Sequence, residues 1–171
     1  PGLQVAPVRV GFGHVAEQDH LFAAHFQVQR DVRDIVQAGV IDADQAGDII
    51  AWDPITRRAA KRYWPGPVSI VLPVSESVPG HLRPINSTLA FRVPDNKNLQ
   101  TLLWHTGPLL APSANMAGEK PAATLAEAQA YFDDTIDFYV DAGDLSGNRP
   151  STLIRPRGSS IEVLRGSLPN S

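Results

Sequence analysis

Cysteine is absent from this chain, which excludes a disulfide framework, a thiolate nucleophile and any cysteine metal site. Long apolar runs are absent as well. None reaches the roughly 18 residues of a membrane span, and no signal peptide is legible, so the cytoplasm is the expected compartment and no membrane partner is expected. Positive charge is not in excess either. A formal net charge of -3 and a pI of about 5.9 argue against a protein whose main work is gripping a phosphate backbone, although a local basic groove stays open. Internal repeats and low-complexity linkers are missing. The five histidines, His14, His20, His25, His81 and His105, lack the tight spacing of a metal site, so no metal-ligating residue is assigned. What is present is 171 residues, 43% hydrophobic and 19% charged, enough to bury one substantial core. One globular domain over residues 1–171 is expected.

The most informative stretch is Leu109 to Gly118, LLAPSANMAG, where an apolar run ends abruptly in Pro112, Ser113, Asn115 and a glycine. A strand that stops at short hydroxyl and amide side chains is how an α/β domain presents donors and acceptors at the carboxyl end of its sheet. Two other apolar strands carry one awkward residue each: TLAFRVP (Thr88 to Pro94) has Arg92, and STLIR (Ser151 to Arg155) opens on Ser151.

Along the chain, Gln4 to Phe12 alternates loosely as an edge strand weakened by Pro7, and Ala16 to Val36 has a poor helical period. Asp42 to Ile50 and Asp53 to Tyr63 read as two helices, the second with Asp53 as N-cap and Pro54 in its first turn. Trp64-Pro65-Gly66-Pro67 forbids further helix and reads as a packed stop. Val68 to Val74 and Thr88 to Val93 are β-branched or apolar strands. A helix over Asp95 to His105 is expected with Asp95 as cap and Leu99, Leu102 and Leu103 on one side, closed by Gly107-Pro108. The strand Leu109 to Ala111 follows. Thr124 and Glu127 form a capping box for a helix to Phe132, with Ala126, Ala130 and Tyr131 as its inner face. Asp137 to Val140, Ser151 to Ile154 and Ile161 to Leu164 are short late strands, with a loop over Gly143 to Pro150. Strands alternating with helices and returning as a late cluster predict an α/β fold with an open, mixed parallel and antiparallel sheet flanked by helices.

Several of these residues also have ordinary structural readings. Ser113 and Asn115 are turn formers through side-chain to backbone bonds. Arg92 in an apolar strand could pair with an aspartate such as Asp141. Arg57, Arg58, Lys61 and Arg62 read as a solvated helix face able to steer nucleotide or tRNA. Asp133 and Asp134 look like a helix end and Asp141 a strand end, a poor fit to a paired-carboxylate hydrolase.

Taken in order, KRYWPGPVSIVLP (Lys61 to Pro73), TLAFRVP (Thr88 to Pro94), GPLLAPSANMAG (Gly107 to Gly118), the Thr124-capped helix, VDAG (Val140 to Gly143), STLI (Ser151 to Ile154) and EVLRGS (Glu162 to Ser167) resemble the YrdC-like family of threonylcarbamoyl-AMP synthases. Each motif alone is weak, while their ordered combination, from roughly Asp42 onward, is specific. The resemblance implies a reaction of L-threonine, bicarbonate and ATP giving threonylcarbamoyl-adenylate and pyrophosphate, with Mg²⁺ bridging phosphates. The product would feed modification of the adenosine beside the anticodon of certain tRNAs, through downstream threonylcarbamoyl-transfer proteins. By the same resemblance Thr88, Asn115 and Arg165 fall where the family contacts ATP, and Arg92, Ser113 and Ser151 where it contacts threonine. Arg92, Ser113 and Asn115 are the implied catalytic set. A guanidinium at Arg92 can fork onto a carboxylate or phosphate oxygen pair.

The amino-terminal third departs from the family pattern. Pro7, Val8, Arg9, Val10, Gly11, Phe12, Gly13 and His14 stand where the family carries P-T-E/D-T-x-Y-G-L, and Asp31-Val32-Arg33 falls near its K-x-R. Valine cannot donate the hydrogen bonds of threonine, and aspartate in place of lysine repels phosphate. Arg30 or Arg33 could supply one cation. An upstream sequence error, a diverged paralogue that binds without full catalysis, and a synthase with rewired contacts remain open. Two other functions compete with the synthase: a non-catalytic RNA- or nucleotide-binding protein of the same fold, with double-stranded RNA among its candidate partners, and a carbamoyl-adenylate domain of hydrogenase-maturation type.

Overall fold

The computed structural model describes residues 22–23, 37–39, 47, 49–76 and 86–169. Its elements, in chain order, are β1 (Phe22–Ala23), β2 (Gln37–Gly39), α1 (Pro54–Tyr63), β3 (Val68–Pro73), β4 (Thr88–Arg92), α2 (Lys97–Thr106), β5 (Leu109–Leu110), α3 (Leu125–Phe132), a 3₁₀ turn (Asp133–Thr135), β6 (Tyr139–Val140), β7 (Thr152–Arg157) and β8 (Ser160–Arg165). Six strands form one sheet in the order β5-β2-β4-β3-β7-β8, and β1 pairs antiparallel with β6 in a second. Within the larger sheet β2 runs parallel to β4 and β3 to β7, while the other neighbours are antiparallel. This is the open, mixed α/β sheet expected from the sequence.

The apolar run at β3 makes it the buried centre of this sheet, and the period of two along each strand divides its two faces. Val68, Ile70 and Leu72 of β3, Leu89 and Phe91 of β4 and Ile154 of β7 point to one side, where Ala59 and Ala60 of α1 cover them. Val71, Ala90 and Leu153 point to the other, where among the described residues half-buried Leu164 packs against them. The first face carries the larger cluster, and the second is likewise buried at Val71 and Ala90. Alternation also puts Ser69 on the side of Val71, and Thr88 and Arg92 on the side of Ala90.

α1 forms as its cap predicts. Asp53 Oδ1 accepts from the backbone N–H of Ile55 at 2.7 Å and of Thr56 at 2.8 Å, and Thr56 Oγ1 accepts from the Asp53 N–H at 2.9 Å. The helix stops before the cis Trp64–Pro65 bond, and Trp64 Nε1 donates to the Val68 carbonyl at 2.8 Å, tying the stop to the start of β3. Arg57, Arg58, Lys61 and Arg62 are exposed, as a solvated face requires, with Arg57 stacked 5.2 Å from the Trp52 ring centroid and Arg62 5.5 Å from that of Tyr63.

Five expectations are corrected. Ile50 bridges Val74, with Ala51 N–H on the Pro73 carbonyl at 2.9 Å, so the chain is extended where a helix over Asp42 to Ile50 was to end. α2 starts two residues later than expected, and its cap is Asn96, whose Oδ1 accepts from Leu99 N–H at 2.9 Å; Asp95 lies one place too early to reach that turn. α3 buries Ala128 and Phe132 while Ala126 and Ala130 are exposed and Tyr131 is half-buried. Its Thr124 cap forms, but Glu127 accepts from Ala123 N–H at 2.6 Å, so the box closes one residue early. β7 runs on through Pro156 to Arg157, paired with β8. The expected strand over Gln4 to Phe12 lies outside the described residues, and of Ala16 to Val36 the only described part is the strand pair Phe22–Ala23.

Candidate functional site

The polar residues on the face of Val71 and Ala90 converge at one end of the sheet, where β3 and β7 begin and β4 and β8 end. Ser69 Oγ and Ser151 Oγ are 2.9 Å apart, joining residues 82 positions apart in the chain. Arg165 clamps the same serine: Nε and Nη2 donate to the Ser151 carbonyl at 3.2 and 3.1 Å, and Nη2 lies 3.3 Å from Ser151 Oγ. Close backbone approach sustains this corner. Thr152 Oγ1 donates to the Ser167 carbonyl at 2.6 Å, and Gly166, at φ +77°, sits so near that a Cβ there would meet Thr152 Oγ1 at 3.1 Å and its Cα at 3.3 Å.

Arg92 completes the row from β4. It lies one step past the antiparallel pair Ile70–Phe91 and opposite Gly39 of β2. Neighbouring strands are about 4.8 Å apart, so the backbones of Arg92 and Arg165, three strands apart, are separated by roughly 14 Å with the two serines between them. Burial draws the Arg92 guanidinium below its ordinary pKa, because desolvation disfavours the charge. It is nevertheless a guanidinium and stays protonated. Ion pairs among the described residues are confined to Glu162 with Arg155 at 3.7 Å and Arg157 at 3.0 Å. Arg92 is not among them, and Asp141 instead accepts from Gly143 N–H at 2.8 Å, so the expected Arg92–Asp141 pair is not formed. Among the described residues no carboxylate pairs with this half-buried cation.

The other candidate residues lie elsewhere. Thr88 shares the face of Arg92 but starts β4, four residues and about 13 Å along the strand. β5 is antiparallel to β2, Gly39 facing Leu109 and Ala38 facing Leu110, so it leaves the sheet toward the Thr88 end and not at the carboxyl ends of β2 and β4. The expectation that Leu109 to Gly118 ends at the carboxyl edge is thus reversed by strand direction. Beyond β5, Ser113 is exposed and its carbonyl accepts from Asn115 N–H at 3.0 Å, as a turn former does. Asn115 Nδ2 donates to the Met116 carbonyl at 2.8 Å, while its Oδ1 is buried without a hydrogen-bond partner. Such an orphaned acceptor is costly unless a ligand fills it. Ser69, by contrast, was missed. Its signal was there to find, since a serine interrupting the apolar run VSIVLP is as awkward as Arg92 in TLAFRVP.

Among the described residues no group of three or more His, Asp or Glu is placed to hold a metal ion, and no helix is long and apolar enough to cross a membrane.

Residues 28–167 match the Sua5, YciO and YrdC family model, described as telomere recombination. The threonylcarbamoyl-AMP synthase of Marinobacter nauticus is 44% identical over 98 residues, which are 56% of this chain and 51% of that one. The synthase of Pseudoalteromonas translucida is 28% identical over 155 residues, 86% of this chain and 82% of its own. The crystal structure of P. abyssi Sua5 complexed with L-threonine superposes with a TM-score of 0.69 at 28% identity, over 80% of this chain and 41% of that one. This chain spans about half the length of the first curated relatives it matches. The family match reaches back to residue 28, into the segment read as divergent, whereas the altered motifs at 7–14 and 31–33 lie outside the described residues.

Proposed function

Since the chain belongs to the Sua5, YciO and YrdC family, we propose that it works as one cytoplasmic domain catalysing ATP-dependent synthesis of L-threonylcarbamoyladenylate from L-threonine, bicarbonate and ATP. An oxygen of the N-carboxylated threonine attacks the α-phosphorus of ATP, the bond to the bridging oxygen breaks, and pyrophosphate leaves. The product then supplies the proteins that transfer threonylcarbamoyl groups to tRNA. The observation that carries this reading is Arg92, a half-buried guanidinium with no carboxylate partner among the described residues, in a row with Ser151 and Arg165. A carboxylate or phosphate entering the row supplies the missing negative charge, and cations fixed beforehand stabilise charge that develops on the phosphoryl group. In this reading Arg92, Ser151 and Ser113 hold threonine; Thr88, Asn115 and Arg165 hold ATP; and Arg92, Ser113 and Asn115 form the catalytic set. The buried Asn115 Oδ1 suits a donor of the nucleoside, the adenine amino group or a ribose hydroxyl. Mg²⁺ would enter as an ion carried on the triphosphate, where it would offset charge on the phosphate oxygens.

The test is pyrophosphate release from ATP with bicarbonate and Mg²⁺, comparing L-threonine, L-serine and no amino acid. Threonine-dependent release that is lost in Arg92→Ala and Asn115→Ala supports the synthase; folded protein that binds ATP without release refutes it. A non-catalytic RNA-binding role is favoured by one separate observation: α1 exposes Arg57, Arg58, Lys61 and Arg62 on the opposite side of the sheet from the row. Steep salt dependence of RNA binding without turnover is its signature.

A further inference from the structure

We infer that Thr152 is a positioning residue, one that fixes the Arg165 guanidinium in the row by tying the start of β7 to the chain leaving β8. The inference rests on the reading above, in which Arg165 holds ATP. Leu153–Arg165 is the last pair of the β7–β8 ladder, and the next residue, Gly166, takes a left-handed φ of +77°. Arg165 thus sits where backbone pairing stops, and the ends of elements open more readily than their centres. There the Thr152 side chain takes over. Its Oγ1 lies 2.6 Å from the Ser167 carbonyl, and because a carbonyl only accepts, the hydroxyl is the donor. In the opposite sense, Arg165 Nε and Nη2 donate to the Ser151 carbonyl at 3.2 and 3.1 Å. Two adjacent residues of one strand end are therefore bonded to the other strand end, Ser151 to Arg165 and Thr152 to Ser167. Alternation puts Ser151 on the face of the row and Thr152 on the other face, so Thr152 meets no ligand in the row and acts through Arg165.

The consequence is a preorganised cation. Arg165 is exposed, and an exposed arginine loses rotamer freedom when it grips a ligand. Here that ordering precedes ATP: Nε and Nη2 are engaged on Ser151, and Nη1 is the end left to meet an oxygen of the nucleotide. Ser151 has a separate anchor. The Thr152 N–H donates to the Pro67 carbonyl at 2.9 Å, and that backbone bond survives a change of the side chain at 152. Loss of the Thr152 hydroxyl should loosen Arg165 and leave Ser151 in place, weakening ATP and sparing L-threonine.

A double-mutant cycle tests this, with calorimetric titration of ATP and of L-threonine into wild type, Thr152→Val, Thr152→Ser, Arg165→Ala and the variant carrying both Thr152→Val and Arg165→Ala. The expected result is about a fivefold loss of ATP affinity in Thr152→Val, the size of one neutral hydrogen bond, with L-threonine affinity within roughly twofold of wild type. Thr152→Ser keeps the hydroxyl and should bind both ligands as wild type does. The double variant should bind ATP no worse than Arg165→Ala alone, since a residue acting through Arg165 has nothing to do once that guanidinium is gone. Thr152→Ala, which places no methyl beside the Ser167 carbonyl, carries the same expectation as Thr152→Val and stands in for it if the valine variant does not fold. A hydroxyl that serves folding alone would weaken both ligands together or neither. Unchanged ATP affinity in Thr152→Val, equal losses for ATP and L-threonine, no recovery in Thr152→Ser, or full additivity in the double variant overturns the role of Thr152 alone. Wild-type protein that binds no ATP, or Arg165→Ala that binds it like wild type, removes the reading of Arg165 and this role with it.

Discussion

Replacing Arg92 by methionine keeps a long unbranched side chain on β4 and deletes the charge, so it separates the cost of that charge in the empty protein from its use toward a ligand. In the folded chain burial lowers the guanidinium's pKa, which means that the charged form is disfavoured there relative to the unfolded chain. A base with a lowered folded pKa weakens folding at every pH below its unfolded value, and for arginine that covers all working conditions. Arg92→Met is therefore expected to leave the melting temperature of the ligand-free protein unchanged or raise it. Binding should go the other way. Charge-assisted hydrogen bonds contribute about 1.5–3 kcal/mol, so removing them weakens anion binding roughly 10- to 150-fold. Arg92→Lys, with a point charge and no fork, should fall between. Thermal melts and calorimetry with L-threonine and ATP measure both sides. A drop in Tm of more than about 4 °C, equivalent to over 1 kcal/mol in a chain of this size, would refute the reasoning by showing that the guanidinium already has a stabilising partner, and so would affinities within twofold of wild type.

Three further outcomes are expected. Asp53→Ala should cost about 1 kcal/mol through loss of the α1 cap, whereas Asp53→Asn keeps the cap; backbone N–H bonds, first from Thr56, hold the Asp53 carboxylate below its ordinary pKa, so its contribution is present above roughly pH 4 and vanishes as pH falls through the folded value. Melting curves from pH 7 to 2.5 should show wild type converging on Asp53→Ala in acid. Gly166→Ala should destabilise by at least about 1–2 kcal/mol, because positive φ disfavours a Cβ that would also press on Thr152, and denaturant titration reads the loss. Exchanging Arg57, Arg58, Lys61 and Arg62 for glutamine should leave L-threonine affinity unchanged; if α1 is an RNA-facing surface, the slope of log K against log salt for RNA falls by about 0.7–0.9 for each phosphate no longer neutralised. An unchanged slope removes α1 from that role.

Much of the scaffold was legible because its causes are local. Asp53 before Pro54 starts α1, Trp64-Pro65-Gly66-Pro67 ends it, and the apolar runs at 68–73 and 88–92 become β3 and β4. Local rules failed where two neighbours carry equal chemistry. Asp95 and Asn96 can both cap, and the helix takes Asn96; α3 buries Ala128 and Phe132 where Ala126 and Ala130 fitted the helical period as well.

The site divides along the same line. By itself the sequence determined which chemistry is available: Arg92 and Ser151 at the ends of apolar strands, Arg165 on the last strand, the turn with Ser113 and Asn115, and no cysteine or histidine cluster to compete with them. Only the tertiary structure decided which of these meet. Antiparallel pairing of β5 sends the Asn115 loop toward Thr88, while the β4-β3-β7-β8 register sets Arg92, Ser69, Ser151 and Arg165 in one row on the face of Val71 and Ala90. The physical reason is that strand order and direction are selected by burying apolar faces contributed from distant parts of the chain, a cooperative choice that no single window of sequence contains.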